Sequence, residues 1–403
     1  MSMPLDGIKV LDLTQFAFGP RTGGFLAEMG ADVIKIENPQ GGDPIRGVLA
    51  IKGVPMYEGR YNAYFEQNHR GKRGIALDLR HERGREVAHK LVEDTDVFLT
   101  NLRVSGLERL GMDYETLSAI NPRLIYAIGT GWGLKGAGRD RGAFEGTAFA
   151  RSGVVTSFAE PSALPPQCPP AVGDYTAATF LAYGIMLALF HRERTGVGQM
   201  VHTSLLASFM KIGSLCIDTS LVVGQDMVGV PHDAENAFYN CYRTRDDRWI
   251  QIALIQEDRA WSEFCGAMGM EDYEHDARFA TAEARLEHRV ELISVLDEVF
   301  LRRTQKEWIE VLGQHRFPWG ALKHFSELTS DEQVLDNDYL VTVDDAEVGE
   351  VKVVGVGIDL SESPGAIAAS KAPELGQHTE EVLLELGYTW EDIASLKEEN
   401  VIL

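Results

Sequence analysis

Cysteine is scarce in this chain. Cys168, Cys216, Cys241 and Cys265 are the only four among 403 residues, widely spaced, with no CxxC pair and no histidine at zinc-ligand spacing. A disulfide framework and a metal site are therefore not expected, and the four are read as reduced. Positive charge is short as well: 38 Lys and Arg stand against 61 Asp and Glu, a formal net charge of -23. Binding along a nucleic acid needs cations that displace counterions from phosphates, so no such partner is expected. A local basic pocket for one small anion is compatible with the same total. Long apolar runs are also missing. The longest, Tyr175 to Phe190, is broken by Thr176, Thr179 and Gly184 and stops at His191-Arg192-Glu193-Arg194. That is shorter than a bilayer requires, so a buried core helix and no membrane are expected. The start has no basic region followed by an apolar stretch, which predicts no secretory leader and a cytoplasmic address. GxxxxGK[ST], GxSxG and HExxH do not occur, which removes the usual support for P-loop, serine-hydrolase and zinc-protease chemistry.

What is present in the first third is alternation. Short β-branched runs at Ile8 to Leu13, Asp32 to Glu37, Gly74 to Leu79, Asp96 to Asn101 and Leu124 to Gly129 are separated by helical patterns such as Glu82 to Val92 and Tyr114 to Ile120. This predicts an α/β fold with a parallel sheet covered by helices. The character changes near residue 230, where charge rises and Trp249, Trp261, Trp308 and Trp319 appear. Residues 1–229 are read as the first part of a large domain, 230–334 as a smaller inserted domain, and 335–403 as a linker and return. The return begins with the strand-like VKVVGVGI and ends with a helix, Thr379 to Leu386, stopped at Gly387.

Two local patterns carry chemistry. Gly131-Trp132-Gly133-Leu134-Lys135-Gly136 fits GxGxxG after a strand, but a phosphate-cradling loop must open directly into a helix, and AGRDRG follows instead. It is read as a plain loop. Asp174 follows Gly173 at the start of the strongest helix pattern. The simplest reading is an N-cap accepting from free helical N–H groups. A second reading uses the same place: the positive end of the helix dipole keeps the carboxylate ionised, the preceding glycine lets a substrate approach, and the group is a nucleophile.

Separated blocks agree in order with one known family. LDGIKVLDLTQFAFGP, LAEMGADVIKIE, GDPIRG, NHRGKRGIALDL, DVFLTNLRVSGLERLGM, INPRLIYAIGTGWG, AVGDYTAATF, HRERTGVGQMVHTSLL and APELGQHTEEVLLELGY resemble the class III CoA-transferases, also called the CaiB/BaiF family. The resemblance runs essentially from end to end. It implies a Rossmann-like large domain whose parallel sheet is built from both chain ends, a smaller inserted α+β domain, and an interlocked dimer. It implies transfer of CoA from an acyl-CoA, with succinyl-CoA as a candidate donor, to a carboxylic acid, with no prosthetic group.

The same resemblance places Asp174 as the nucleophile and Glu145 as a secondary catalytic residue. It lines a groove for coenzyme A with Ala17, Phe18, Asn38, Arg70, Lys72, Arg73, Asn101, Leu102, Arg103, Arg109, Gly142 and Phe144. Asn38 stands where some relatives carry a basic residue, and Gly142 where others have Lys, with Arg139 and Arg141 nearby. An α-methylacyl-CoA racemase shares the fold, but the His-Asp pair of racemases is replaced here by Ala143-Phe144-Glu145. A non-catalytic half of a mixed dimer is the other alternative, which the intact Gly173-Asp174 disfavours; a homodimer is expected. Val230 to Glu235 lacks the glycine-rich loop of oxalate-using relatives, and Phe149 to Gly153 looks like those handling larger acids. A medium-sized aryl, branched or dicarboxylic acceptor is the expectation.

Overall fold

Successive side chains of a strand point to opposite faces, so a strand covered on both sides buries nearly every residue. The computed structural model, which describes residues 2–160, 163–255, 257–368 and 370–403, has a six-stranded sheet that shows this in every strand but β6. They are β1 (Lys9–Leu13), β2 (Asp32–Glu37), β3 (Arg73–Ala76), β4 (Val97–Thr100), β5 (Ile125–Thr130) and β6 (Gln199–Ser204). All neighbours are parallel, in the order β6-β5-β4-β1-β2-β3. The direction of winding reverses between β1 and β4, and crevices for ligands open beyond the strand ends at such a point.

The two faces have separate cores. Leu11, Leu13, Ile36, Phe98, Tyr126 and Ile128 point to one side, where Val87, Leu91 and Leu117 cover them. Val10, Val33, Val97, Leu99, Ile125 and Ala127 point to the other, against Leu26, Ala177, Leu181 and Ile185. The covering helices on this second face include α1 (Phe18–Glu28), α2 (Glu145–Ser152), α3 (Val172–Thr195) and α4 (Leu205–Ile212).

Three expectations need correction here. The sheet takes no strand from the chain's end: all six strands lie before residue 205. The strand-like tail segment instead forms an antiparallel hairpin, Leu340–Asp345 with Gly349–Val354. The end of the chain caps the free edge at β3 with side chains: the Gly74 N–H donates to His378 Nδ1 at 3.0 Å and the Ala76 N–H to Thr379 Oγ1 at 3.0 Å. Helices Thr379–Glu385 and Trp390–Glu398 then bury Val382, Leu383, Ile393 and Leu396 in the first core. Second, α3 runs for 24 residues, long and apolar enough by length and composition to cross a bilayer. Third, it is not buried all round. One side packs Ala177, Ala178, Leu181, Ile185 and Ala188 into the core, while Tyr183, Leu187 and Phe190 are exposed.

The chain divides into two compact units, one of Met1–Val155, Pro165–Met227 and Glu332–Leu403, the other of Thr156–Leu164 and Val228–Asp331. The second has its own three-stranded antiparallel sheet, Tyr239–Arg243, Trp249–Ala253 and Trp319–Ala321, and its own helices. Its core is aromatic: Tyr242 stacks on Phe300 at 4.8 Å, and Phe300 lies 5.0 Å from Trp308.

Candidate active site

Asp174 lies in the third helical position of α3, not at its N-cap, because the helix begins at Val172 and the cap residue is Ala171, held at φ +64°. No cap side chain accepts from the helix start. Glu145, the first residue of α2, takes that role from a distance. Its Oε1 accepts from the Ala171 N–H at 2.7 Å, and its Oε2 from the N–H groups of Gly173 at 2.9 Å and Asp174 at 3.3 Å. The free donors of one helix are thus satisfied by a carboxylate at the start of another.

Gly173 serves this approach, not a substrate's. A Cβ there would stand 2.3 Å from the Phe209 ring and 3.0 Å from Glu145 Cβ. The Asp174 carboxyl itself accepts no hydrogen bond among the described residues and lines a cavity of about 280 Å³. Burial, and then the nearby Glu145 charge, push its pKa up to about 7. The dipole that was expected to keep it ionised is already engaged by Glu145, so desolvation wins.

The Asp174 cavity is walled by chain that follows three strands: Gln15, Phe16 and Phe18 after β1, Asn101, Leu102 and Arg103 after β4, and Gly131 after β5. Arg139, Arg141, Gly142 and Phe144 complete it. Phe16 and Phe144 meet edge to face with ring centroids 5.5 Å apart. Gly131 to Gly136 is irregular chain, and the next helix, α2, starts only at Glu145.

A second cavity of about 520 Å³ lies beyond β1 and β2 and is lined by Asn38, Leu102, Arg80, Arg85 and Arg109. Gln15 and Leu102 line both cavities. Arg103, Arg109 and Arg141 are exposed and make no ion pair among the described residues. Arg80 is engaged with Asp78, and Arg85 donates to the Leu79 and Arg80 carbonyls.

Three of the expected cations are elsewhere. Lys72 is fully buried, its Nζ donating to Asp12 Oδ2 at 2.8 Å and the Pro20 carbonyl at 2.7 Å; burial pulls its pKa down to about 8. Arg73 begins β3, at the opposite end of the sheet from the cavities, and is spent on Asp32, Glu381 and Glu385. Arg70 pairs with Glu66 at 2.8 Å and lines a different cavity with Tyr61 and Tyr175. Their loop reads as basic in sequence, but each cation meets a carboxylate in the fold. Ala17 is fully buried and caps α1 without lining either cavity. Asn101 spends its amide on the main chain of Gln15, which leaves it as a wall residue. Asn38, Phe18, Leu102, Arg103, Arg109, Gly142 and Phe144 do line the two cavities.

Lys72→Met is expected to lose about 3 kcal/mol of stability in urea unfolding, because Asp12 is left charged and buried. Arg73→Met, acting on a network of half-exposed acids, should cost about 1 kcal/mol or less. Equal losses would mean that the burial of Lys72 does not decide its role.

Residues not picked out from the sequence are Gln15, Phe16, Thr130, Arg80 and Arg85. The first three sit at the carboxyl ends of parallel strands, a position that would have flagged them once the sheet order was known.

The family described as "CoA-transferase family III" matches residues 5–379. The chain is 32% identical over 402 residues to cinnamoyl-CoA:phenyllactate CoA-transferase of Clostridium sporogenes, covering 98% of this chain and 97% of the relative. It is 32% identical over 403 residues to (R)-2-hydroxy-4-methylpentanoate CoA-transferase of Clostridioides difficile, covering 99% and 100%. A solved CaiB/BaiF family protein from Brucella suis superposes with a TM-score of 0.84 at 28% identity, covering 96% of this chain and 100% of that one. A switch-point crevice with a cavity-facing carboxyl, and matches of this length, lead to one conclusion: the chain belongs to the class III CoA-transferases, the CaiB/BaiF family of enzymes that use CoA thioesters as substrates.

Proposed function

We propose that this enzyme moves CoA from an acyl-CoA to a medium-sized carboxylic acid through covalent intermediates on Asp174. One observation carries the reading: the Asp174 carboxyl opens on a cavity and accepts no hydrogen bond among the described residues, so an oxygen lone pair is free to attack. Its carboxylate adds to the thioester carbonyl and expels CoA thiolate, leaving a mixed anhydride. The thiolate attacks the aspartyl carbonyl of that anhydride, releasing the donor acid and forming an aspartyl-CoA thioester. The acceptor carboxylate attacks this thioester, the thiolate leaves, and a new anhydride forms. Attack of the thiolate on the acceptor carbonyl releases the new acyl-CoA and regenerates Asp174. Each step exchanges one activated carboxyl for another, so no external energy source or prosthetic group is needed.

In this reading the phosphates of CoA lie by Arg109, Arg80 and Arg85 in the larger cavity, and the arm runs past Gln15 and Leu102 to the thioester beside Asp174. Arg103, Arg139 and Arg141 supply positive charge around the reacting oxygens. The Phe16 and Phe144 rings offer an apolar edge that suits an aryl or branched acceptor, and two relatives named above act on phenyllactate and a branched hydroxy acid. A dicarboxylic acceptor, with succinyl-CoA as donor, is the companion expectation for a substrate screen. We infer also that the protein works as a homodimer, because Tyr183, Leu187 and Phe190 on α3, with Leu215, Leu221 and Val222, leave apolar surface uncovered in one copy. The interlocked form, and a mixed dimer with an unlike subunit, are distinguished by native mass and subunit exchange.

Incubation with an acyl-CoA donor alone, followed by hydroxylamine, should release CoA thiol and leave a hydroxamate on Asp174, read by peptide mass spectrometry. An unmodified Asp174 peptide in protein that turns over normally would rule the covalent route out.

A further inference from the structure

Gln15 stands at the junction of the two cavities, and the fold holds its main chain from three sides. Its own N–H donates to Asn101 Oδ1 at 2.8 Å, and its carbonyl accepts from Asn101 Nδ2 at 2.7 Å. Before it, the Thr14 carbonyl accepts from Lys35 Nζ at 2.9 Å. After it, the Phe16 N–H donates to Asp43 Oδ1 at 3.1 Å. Lys35 and Asp43 are themselves an ion pair at 3.0 Å with both side chains fully buried. One buried pair and one amide therefore fix three consecutive residues. Phe16 is kept at φ +64°, a left-handed conformation that costs a residue with a side chain about 1–2 kcal/mol and survives only where its surroundings over-determine it.

At the centre of this clamp the Gln15 side chain makes no hydrogen bond among the described residues, although its main chain is saturated. A half-buried primary amide left with a free donor and a free acceptor is matched by a ligand group having one of each. A secondary amide fits: the glutamine N–H donates to its carbonyl, and the glutamine oxygen accepts from its N–H. Phosphates are better served by the arginines of the larger cavity, and the reacting carbonyl by Asp174 and its arginines.

We propose that Gln15 binds, through its side-chain amide, the secondary amide of the pantetheine arm nearest the sulfur and so sets how far the thioester reaches into the Asp174 cavity. The inference rests on the CoA-transfer reading of that cavity. Gln15 is then a substrate-binding residue whose contribution is uniform along the reaction, and its loss falls on KM more than on kcat.

The test is a two-by-two comparison. Wild type and Gln15→Met are each assayed with an acyl-CoA and with an analogue in which the amide nearest the sulfur is replaced by two methylenes. Wild type should lose about 10-fold in kcat/KM on the analogue, and Gln15→Met should lose about 10-fold on the normal substrate, with kcat within about 3-fold. On the analogue, Gln15→Met should lose nothing further. Thermal melting should be unchanged, because the side chain makes no hydrogen bond among the described residues. Independent, multiplying losses, or a Gln15→Met enzyme equal to wild type on acyl-CoA, would overturn the assignment. Absence of any transfer by wild type would instead overturn the reading of the Asp174 cavity itself.

Discussion

Asp174→Asn should remove at least about 10³-fold of transfer activity while making the folded protein harder to unfold at pH 8. The first part follows from nucleophilicity, since a neutral amide cannot form the anhydride. The second follows from the electrostatics of the site. Asp174 accepts no hydrogen bond among the described residues and is largely withdrawn from water beside Glu145, and its pKa rises to about 7. A carboxyl that binds its proton more tightly in the folded chain than in the unfolded one stabilises the fold at low pH, and that stability is lost as pH rises from about 4 through 7. Above pH 7 the folded chain carries the full penalty, with a ceiling of about 4 kcal/mol at 1.36 kcal/mol per pKa unit. Asparagine has no charge to bury but leaves its own amide unpaired, so a net gain of about 1–2 kcal/mol is expected at pH 8 and little change at pH 4. Urea unfolding at the two pH values measures both. A variant less stable than wild type at pH 8 would show that the carboxylate has a stabilising partner. The expectation of a lost helix cap, natural for an aspartate at a helix start, has the opposite sign.

Glu145→Ala should be the more damaging change for the fold. One carboxylate serves the N–H groups of Ala171, Gly173 and Asp174, and without it three donors at a partly buried helix start lose their acceptor. A cost of about 2–4 kcal/mol is expected, with kcat/KM reduced about 10²-fold as the position of Asp174 loosens. Glu145→Gln keeps an acceptor oxygen and should restore most of the stability. Both variants remove the negative charge that helps raise the Asp174 pKa. In wild type, activity should fall as pH drops through about 7, because the nucleophile must be ionised; in Glu145→Gln this acid limb should move to lower pH, burial alone still holding it above the ordinary aspartate value. A limb that does not move would mean that Glu145 acts only as a cap. The pH profile therefore separates its electrostatic part from its structural one.

Much of this was legible before the fold was known. Five of the six strands of the sheet announce themselves as β-branched runs because they are buried on both faces. The sixth, Gln199–Ser204, lies at the sheet's edge with alternate residues less covered and carries Gln199 and His202, so it blended into the apolar run that continues into α4. Asp174 stood out through its place before a long apolar helix. Lys72 and Arg73 misled because sequence shows that a residue is basic but not that an acid from another strand will neutralise it: Asp12 and Asp32 lie far back along the chain. Gln15 gave no signal of type or spacing. Its prominence comes from where β1 ends and from partners, Lys35, Asp43 and Asn101, that belong to three other segments.

The hydrogen bonds that His378, Thr379 and Val401 accept from the segment after residue 73 have a cost during synthesis. Leu11 and Leu13 share their core with Val401 and Ile402 as well as with Val87, Leu91 and Leu117, so the part of this face that the earlier helices do not cover stays open until residues near 400 have been made. At about 5–20 residues per second, the nascent chain carries that opening for tens of seconds, and a variant cut before Val401 would keep it for the life of the molecule.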